Sequence, residues 1–298
     1  MQKNESINLN YYPGHMAKAK KQIIEDLKIV DIVIEILDAR CPKASQNPDI
    51  ENLIQEKKKI IILNKSDLAD EIETRKWQKY FRNQGFPTII ANSKIGINIK
   101  DVIITIKSLM QSELDKNIKK GIIGKSIRIM VLGIPNVGKS SFINSISKKN
   151  TMKVGNKPGI TKQKQWVRLE GNIDLLDTPG VLWPKFSSKV QSLYLAYTGT
   201  IKDEILDEYE IAYFLIEFLY NNYKILLQKR YKITDEEVDN IFSQNTQAET
   251  KFIELIELIG KKRGAVMSGG IIDQTKTAKI ILDDFRNGKI GNITLEKI

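Results

Sequence analysis

The chain has one cysteine, Cys41, and one histidine, His15, among its 298 residues. A single thiol excludes an intrachain disulfide and any thiolate-rich zinc site, and it fits a reducing compartment, so the cytoplasm is expected. Long apolar runs are missing too. The stretch Ile29 to Leu37 is interrupted by Asp31 and Glu35, well short of the ~18 apolar residues that a spanning helix requires. No transmembrane segment is expected. Met1 to Asn10 are polar and lack an apolar segment followed by a small-residue cleavage site, so secretion is not expected. Internal repeats and low-complexity tracts are absent. Acidic residues are in deficit, with 36 Asp and Glu against 47 Lys and Arg, a net charge of +11. Such an excess favours partners that carry phosphates, whether RNA, DNA or an anionic membrane, and is silent about fold.

The length suits one nucleotide-sized domain plus a smaller companion. Ala17 to Val30 reads as a basic amphipathic helix, followed by the β-branched run Ile32 to Leu37. Ile60 to Leu63 predicts a buried strand, a polar helical stretch follows to Asn83, and Thr88 to Ile90 predicts another strand. A third helix is expected over roughly Ile99 to Asn117 and a strand over Ile127 to Leu132, joined by Lys119 to Lys125. Trp166 to Leu169 and Ile173 to Leu176 flank Glu170-Gly171-Asn172 as a hairpin. Beyond Pro184 the strand signals fade, and Leu206 to Leu227, Asp235 to Phe242, Glu249 to Ile259 and Gln274 to Phe285 read as helices. The expected fold class is α/β: a doubly wound, mainly parallel sheet over residues 1–184, counting the N-terminal segment 1–28, then an α-helical domain over 185–298.

Gly133-Ile134-Pro135-Asn136-Val137-Gly138-Lys139-Ser140 lies between an apolar strand and a helix start. There, backbone N–H groups and a helix N-terminus can wrap phosphates. In this setting Asn136, Val137 and Gly138 line the phosphates and Lys139 bridges the β- and γ-phosphates. Ser140 ligates Mg²⁺, and Ser141 sits near the α-phosphate. Asn64-Lys65-Ser66-Asp67 follows a strand, and the Asp67 carboxylate can accept from both N1–H and the exocyclic amine of guanine. Adenine offers no such pair, so this residue can separate GTP from ATP by roughly 10⁴-fold. Asn92-Ser93-Lys94 completes the base pocket, with the Ser93 N–H expected to meet the guanine oxygen. Asp177-Thr178-Pro179-Gly180 is the candidate γ-phosphate sensor, in which Asp177 holds a Mg²⁺ water and the Gly180 N–H meets the phosphate. Thr161, in Pro158-Gly159-Ile160-Thr161, is the candidate switch threonine that joins the Mg²⁺ shell; capping a loop turn is its alternative role. The base motif stands upstream of the phosphate loop, the reverse of the order in ordinary small GTPases. A circularly permuted GTPase fits that order.

Longer segments sharpen this. Tyr12-Pro13-Gly14-His15-Met16-Ala17-Lys18-Ala19, Asp38-Ala39-Arg40 and Leu175-Leu176-Asp177-Thr178-Pro179-Gly180-Val181-Leu182-Trp183-Pro184-Lys185-Phe186 resemble the ribosome biogenesis GTPase A family, also called YlqF, over nearly the whole chain. The resemblance implies late assembly of the large ribosomal subunit, contacts with rRNA and ribosomal proteins, and GTP hydrolysis stimulated by the particle. A monomer is expected. Where Ras-like enzymes place a water-orienting glutamine, this chain has Val181, which cannot hydrogen-bond to water. In the family the histidine corresponding to His15 is a proposed catalytic residue, and a neutral imidazole of unperturbed pKa ~6.5 can orient water near pH 7. Contact with RNA or capping of the following helix is the alternative. Asn136 resembles an asparagine that coordinates K⁺ in related GTPases; a local loop hydrogen bond is its alternative. Gly264 to Gly270 and the helix after it resemble the family's RNA-contacting domain, with Lys261, Lys262, Arg263, Lys276, Lys279 and Arg286 as candidate phosphate contacts. Two other readings stay open. A small-subunit assembly GTPase would carry an N-terminal barrel, for which the region before the guanine motif is too short, and a C-terminal zinc module, whereas Cys41 stands alone. A nucleotide-gated RNA-binding or membrane-surface adaptor would hydrolyse GTP only incidentally.

Overall fold

The computed structural model describes residues 21–54, 57–147, 165–177, 188–201, 207–244 and 247–298. His15, Thr161 and Gly180 lie outside the described residues, as does most of the long segment ending at Phe186. Two compact units are present, Met1–Ser187 with Thr294–Ile298, and Ser188–Ile293.

The first unit is built on six strands, β1 (Ile32–Asp38), β2 (Lys58–Asn64), β3 (Thr88–Ile90), β4 (Ile127–Leu132), β5 (Gln165–Leu169) and β6 (Ile173–Asp177). Their order is β3-β2-β1-β4-β6-β5. All neighbours run parallel except the edge strand β5, which is antiparallel to β6. Every residue of β1 is buried, which is why it reads as an unbroken β-branched run: strands covered on both faces have no solvent side to mark with polar residues. Glu35 fits this rule through its partner. It is fully buried and paired with Lys59 of β2 at 3.2 Å, and the Lys59 ammonium also lies 4.1 Å from the centre of the Phe86 ring.

Side chains alternate across a strand, so Val33 and Leu37 share a face. On it, Val33, Met130, Leu132 and Leu176 pack against Ile23 and Leu27 of helix α1 (described at residues 21–27) and Ile54 of α2 (Pro48–Ile54). Leu37, Ile61 and Leu63 pack against Trp77 and Phe81 of α3 (Glu71–Asn83). Lys58 belongs to the opposite face. It bonds to Leu109 O and Glu113 of α4 (Ile99–Lys119), which places α4 there, beside α5 (Lys139–Ser147). The sheet is thus covered by helices on both sides.

The second unit contains α6 (Lys189–Tyr197), α7 (Glu208–Tyr231), α8 (Asp235–Phe242), α9 (Ala248–Lys262) and α10 (Gln274–Arg286). Helix α7 starts on an Asp207 cap that accepts from the N–H groups of Tyr209 and Glu210, and α8 on a reciprocal Thr234–Glu237 capping box. The long α7 is tied to α10 by a bidentate pair, Arg230 to Asp284, at 2.9 and 2.8 Å. Tyr220 stacks on Phe242 with centroids 4.2 Å apart, and Phe252 meets both edge-on, which locks α7, α8 and α9 together. The sequence reading runs the helical domain to residue 298, whereas Thr294–Ile298 fold back onto the first unit, drawn there by backbone hydrogen bonds and the burial of Leu295.

Candidate functional site

In an open α/β sheet, ligands bind outside the carboxyl ends of the strands, where the winding reverses direction. Here the chain winds from β1 outward to β2 and β3, then returns to start again at β4 beside β1. The crevice at that reversal collects the loops after β1, β2, β3 and β4, together with the end of β6. They contain Asp38 to Cys41, Asn64 to Asp67, Ala91 to Lys94 and Gly133 to Gly138, while Asp177 ends β6. Almost every site residue inferred from sequence that falls among the described ones therefore meets at one edge.

Asn64 joins the two halves. Its buried side chain donates to the Val137 carbonyl at 2.8 Å and accepts from the Ser93 N–H at 3.0 Å. The base segment, the phosphate loop and the third loop are thereby fixed to one another. The Ser93 N–H, expected to meet the guanine oxygen, here donates to Asn64. The Lys94 N–H is likewise turned inward, onto Asn92 Oδ1 at 3.0 Å. Ser93 Oγ is buried and has no hydrogen-bond partner among the described residues. Gly138 shows why this contact demands glycine. Its φ is +95°, and a Cβ there would stand 2.4 Å from Asn64 Nδ2.

The phosphate loop leads directly into α5, whose first residue is Lys139. Lys139 Nζ curls back onto the Gly133 and Ile134 carbonyls at 3.1 and 3.2 Å, and Asn136 takes a left-handed φ of 63°. Ser140 and Ser141 are half-buried on the first turn of α5. Their N–H groups belong to the unpaired set that every helix N-terminus presents, and they suit an anion. Ser140 follows β4 closely and Asp177 ends β6, which is hydrogen-bonded to β4. A hydroxyl and a carboxylate are hard oxygen donors of the kind Mg²⁺ takes, so this donor set fits the ion. Among the described residues no cluster of three or more His, Cys, Asp or Glu side chains forms a separate metal site.

Asp67 is exposed, in the short 3-10 turn Ser66–Leu68 that starts after Lys65 at φ 59°. Lys65 Nζ rests 2.9 Å from Asp38 Oδ2. Asp38 also receives Arg40 in a bidentate pair at 2.9 and 2.8 Å, plus the Arg40 N–H at 3.1 Å. Burial alone would raise the Asp38 carboxyl, but the Arg40 and Lys65 charges, with their hydrogen bonds, hold it below the usual carboxylate range. Burial pulls the Lys65 ammonium down, and Asp38 offsets this only in part. Asp38 and Arg40 were visible in the sequence only as a shared tripeptide. An acid and a base two residues apart directly after a buried strand were the available signal that they serve the crevice.

A family model described as "50S ribosome-binding GTPase" matches residues 128–257, from the start of β4 into α9. The base segment lies upstream of that match. A ribosome biogenesis GTPase A from Bacillus pumilus is 44% identical over 98% of this chain and 99% of its own length. The Bacillus cereus protein of the same name is 41% identical over 97% and 93%. A crystal structure of GNP-bound YlqF from T. maritima superposes with a TM-score of 0.61 at 26% identity, covering 94% of this chain and 98% of that one. With the crevice and near-full-length relatives in agreement, the chain belongs to the ribosome biogenesis GTPase A family and is a GTPase.

Proposed function

We propose that this GTPase is a late assembly factor of the large ribosomal subunit. It binds precursor rRNA and ribosomal proteins in the GTP state and is released after hydrolysis stimulated by the particle. The observation that carries the reading is the Asn64 bridge, because it makes a single nucleotide site from a base segment and a phosphate loop in reversed order. The family description and the names of the relatives support the ribosomal partner, and the +11 charge suits RNA. The experiment that tests it is multiple-turnover GTP hydrolysis with each ribosomal subunit.

Within the site we assign Lys139 to the β- and γ-phosphates, Ser141 to the α-phosphate and Asp67 to the guanine edge. Asn64 and Lys65 support that edge, with Asn92, Ser93 and Lys94 behind it. The backbone of Val137 and Gly138 faces the phosphates. Mg²⁺, which GTPases of this kind use, is assigned to Ser140, Thr161 and Asp177; when bound it neutralises charge that builds up on the phosphates. Gly180 reports the γ-phosphate, and His15 orients the attacking water. Asn136 is assigned to K⁺, whose charge substitutes for an arginine finger. On this assignment GTP turns over faster in K⁺ than in Na⁺ buffer at equal ionic strength, and equal rates would remove the ion from the mechanism.

A further inference from the structure

The C-terminal tail has no place in the site described so far, yet it ends beside it. After Ile293 the chain leaves the helical unit, and Thr294–Ile298 belong to the first unit. Thr294 Oγ1 accepts from the Asp70 N–H at 3.1 Å, and the Trp77 indole N–H donates to the Glu296 carbonyl at 2.8 Å. These two bonds fasten the tail to α3 and its cap. Other contacts go to the loop after β1. The Leu295 N–H donates to the Arg40 carbonyl at 2.6 Å. The two oxygens of the Glu296 carboxylate accept from the Lys43 N–H at 2.6 Å and the Ala44 N–H at 2.8 Å.

That loop holds the base segment. Residues 41–45 make one turn, closed by the Ser45 N–H on the Cys41 carbonyl at 2.9 Å. Glu296 caps this turn as an N-terminal acid caps a helix. Ser45 Oγ accepts from the Asp38 N–H at 3.0 Å, and Asp38 holds both Arg40 and Lys65. An unbroken chain of contacts therefore runs from Glu296 through the turn to Lys65, two residues before Asp67.

We propose that the C-terminal tail is a clasp for guanine recognition, with Glu296 the positioning residue that fixes Lys65 through the 40–45 loop and Asp38. The proposal rests on Asn64 to Asp67 being the base-recognition segment. Physically, Lys65 can lie against a purine face only if its ammonium is parked, and Asp38 parks it. Asp38 sits at the end of a strand followed by irregular backbone, and the tail supplies the missing hydrogen-bond partners there. Burial pushes the Glu296 carboxyl up to about 7, against the pull of the two N–H groups and Lys43. Near neutrality the cap thus exists both neutral and ionised.

The test is titration of the full chain with a fluorescent GDP analogue. Glu296→Ala weakens binding about fivefold, the scale of one or two lost hydrogen bonds, and Glu296→Gln, which keeps one acceptor but turns its NH2 on the other N–H, does not restore parent binding. Because the effect travels through Lys65, Glu296→Ala adds nothing in a Lys65→Met background. Parent-like binding by Glu296→Ala, or an equal loss in both backgrounds, overturns the clasp. Asp67→Asn is titrated alongside with guanine and xanthine nucleotides. If it fails to exchange their order, the base-recognition reading itself falls; if it does exchange them while Glu296→Ala is silent, only the clasp falls.

Discussion

Asp67→Asn lowers GDP affinity about a thousandfold and transfers preference to xanthosine diphosphate. On the proposed assignment the carboxylate accepts from N1–H and the exocyclic amine of guanine together. The amide keeps one acceptor and presents a donor, which faces the guanine amine as an unpaired donor against a donor. Xanthine carries a carbonyl at that position, so the amide's donor finds its acceptor. Little else should change, because Asp67 is exposed in its turn and the backbone there is set by Lys65 at φ 59° and the Asn64 bridge. Competition of the two diphosphates against one fluorescent ligand measures the exchange. Unchanged GDP affinity would mean that the crevice holds the base in some other way.

His15→Ala is expected to lower GTP turnover on the ribosomal particle about a hundredfold, the usual scale for a lost acid or base, and to leave GTP affinity unchanged. The position after Gly180 is Val181, whose side chain offers water no hydrogen bond. His15 is the sole histidine. Single-turnover hydrolysis with saturating particle separates chemistry from binding. A loss confined to particle affinity would make His15 an RNA contact, and parent-like turnover would end its assignment to the water.

The strands β1, β2 and β4 were readable because burial on both faces leaves them as nearly unbroken apolar runs. Thr88–Ile90 and Ile127–Leu132 fall where the run lengths put them. Two helices were not readable. Helix α2 is seven residues long, and α6 covers only nine, Lys189–Tyr197, resting on a Ser188 cap that accepts from the Gln191 N–H at 3.1 Å. Helices that short are held by tertiary packing more than by propensity. The site divides in the same way. Phosphate loop and base segment announce themselves by local spacing, since each is one loop after one strand. The work of Asn64 is not local: it bonds to Val137, 73 residues away. Nor is that of Glu296, which lies 253 residues from Lys43. A contact between distant segments leaves no periodicity in the sequence, and only the folded sheet brings such residues together.

On the proposed function the large ribosomal subunit is the partner that turns this GTPase on. Multiple-turnover GTP hydrolysis, measured alone, with precursor large subunits and with small subunits, tests it most directly. Stimulation of at least about tenfold, a barrier lower by about 1.4 kcal/mol, is expected from large subunits only. Equal stimulation by small subunits, or none by large ones, would contradict it.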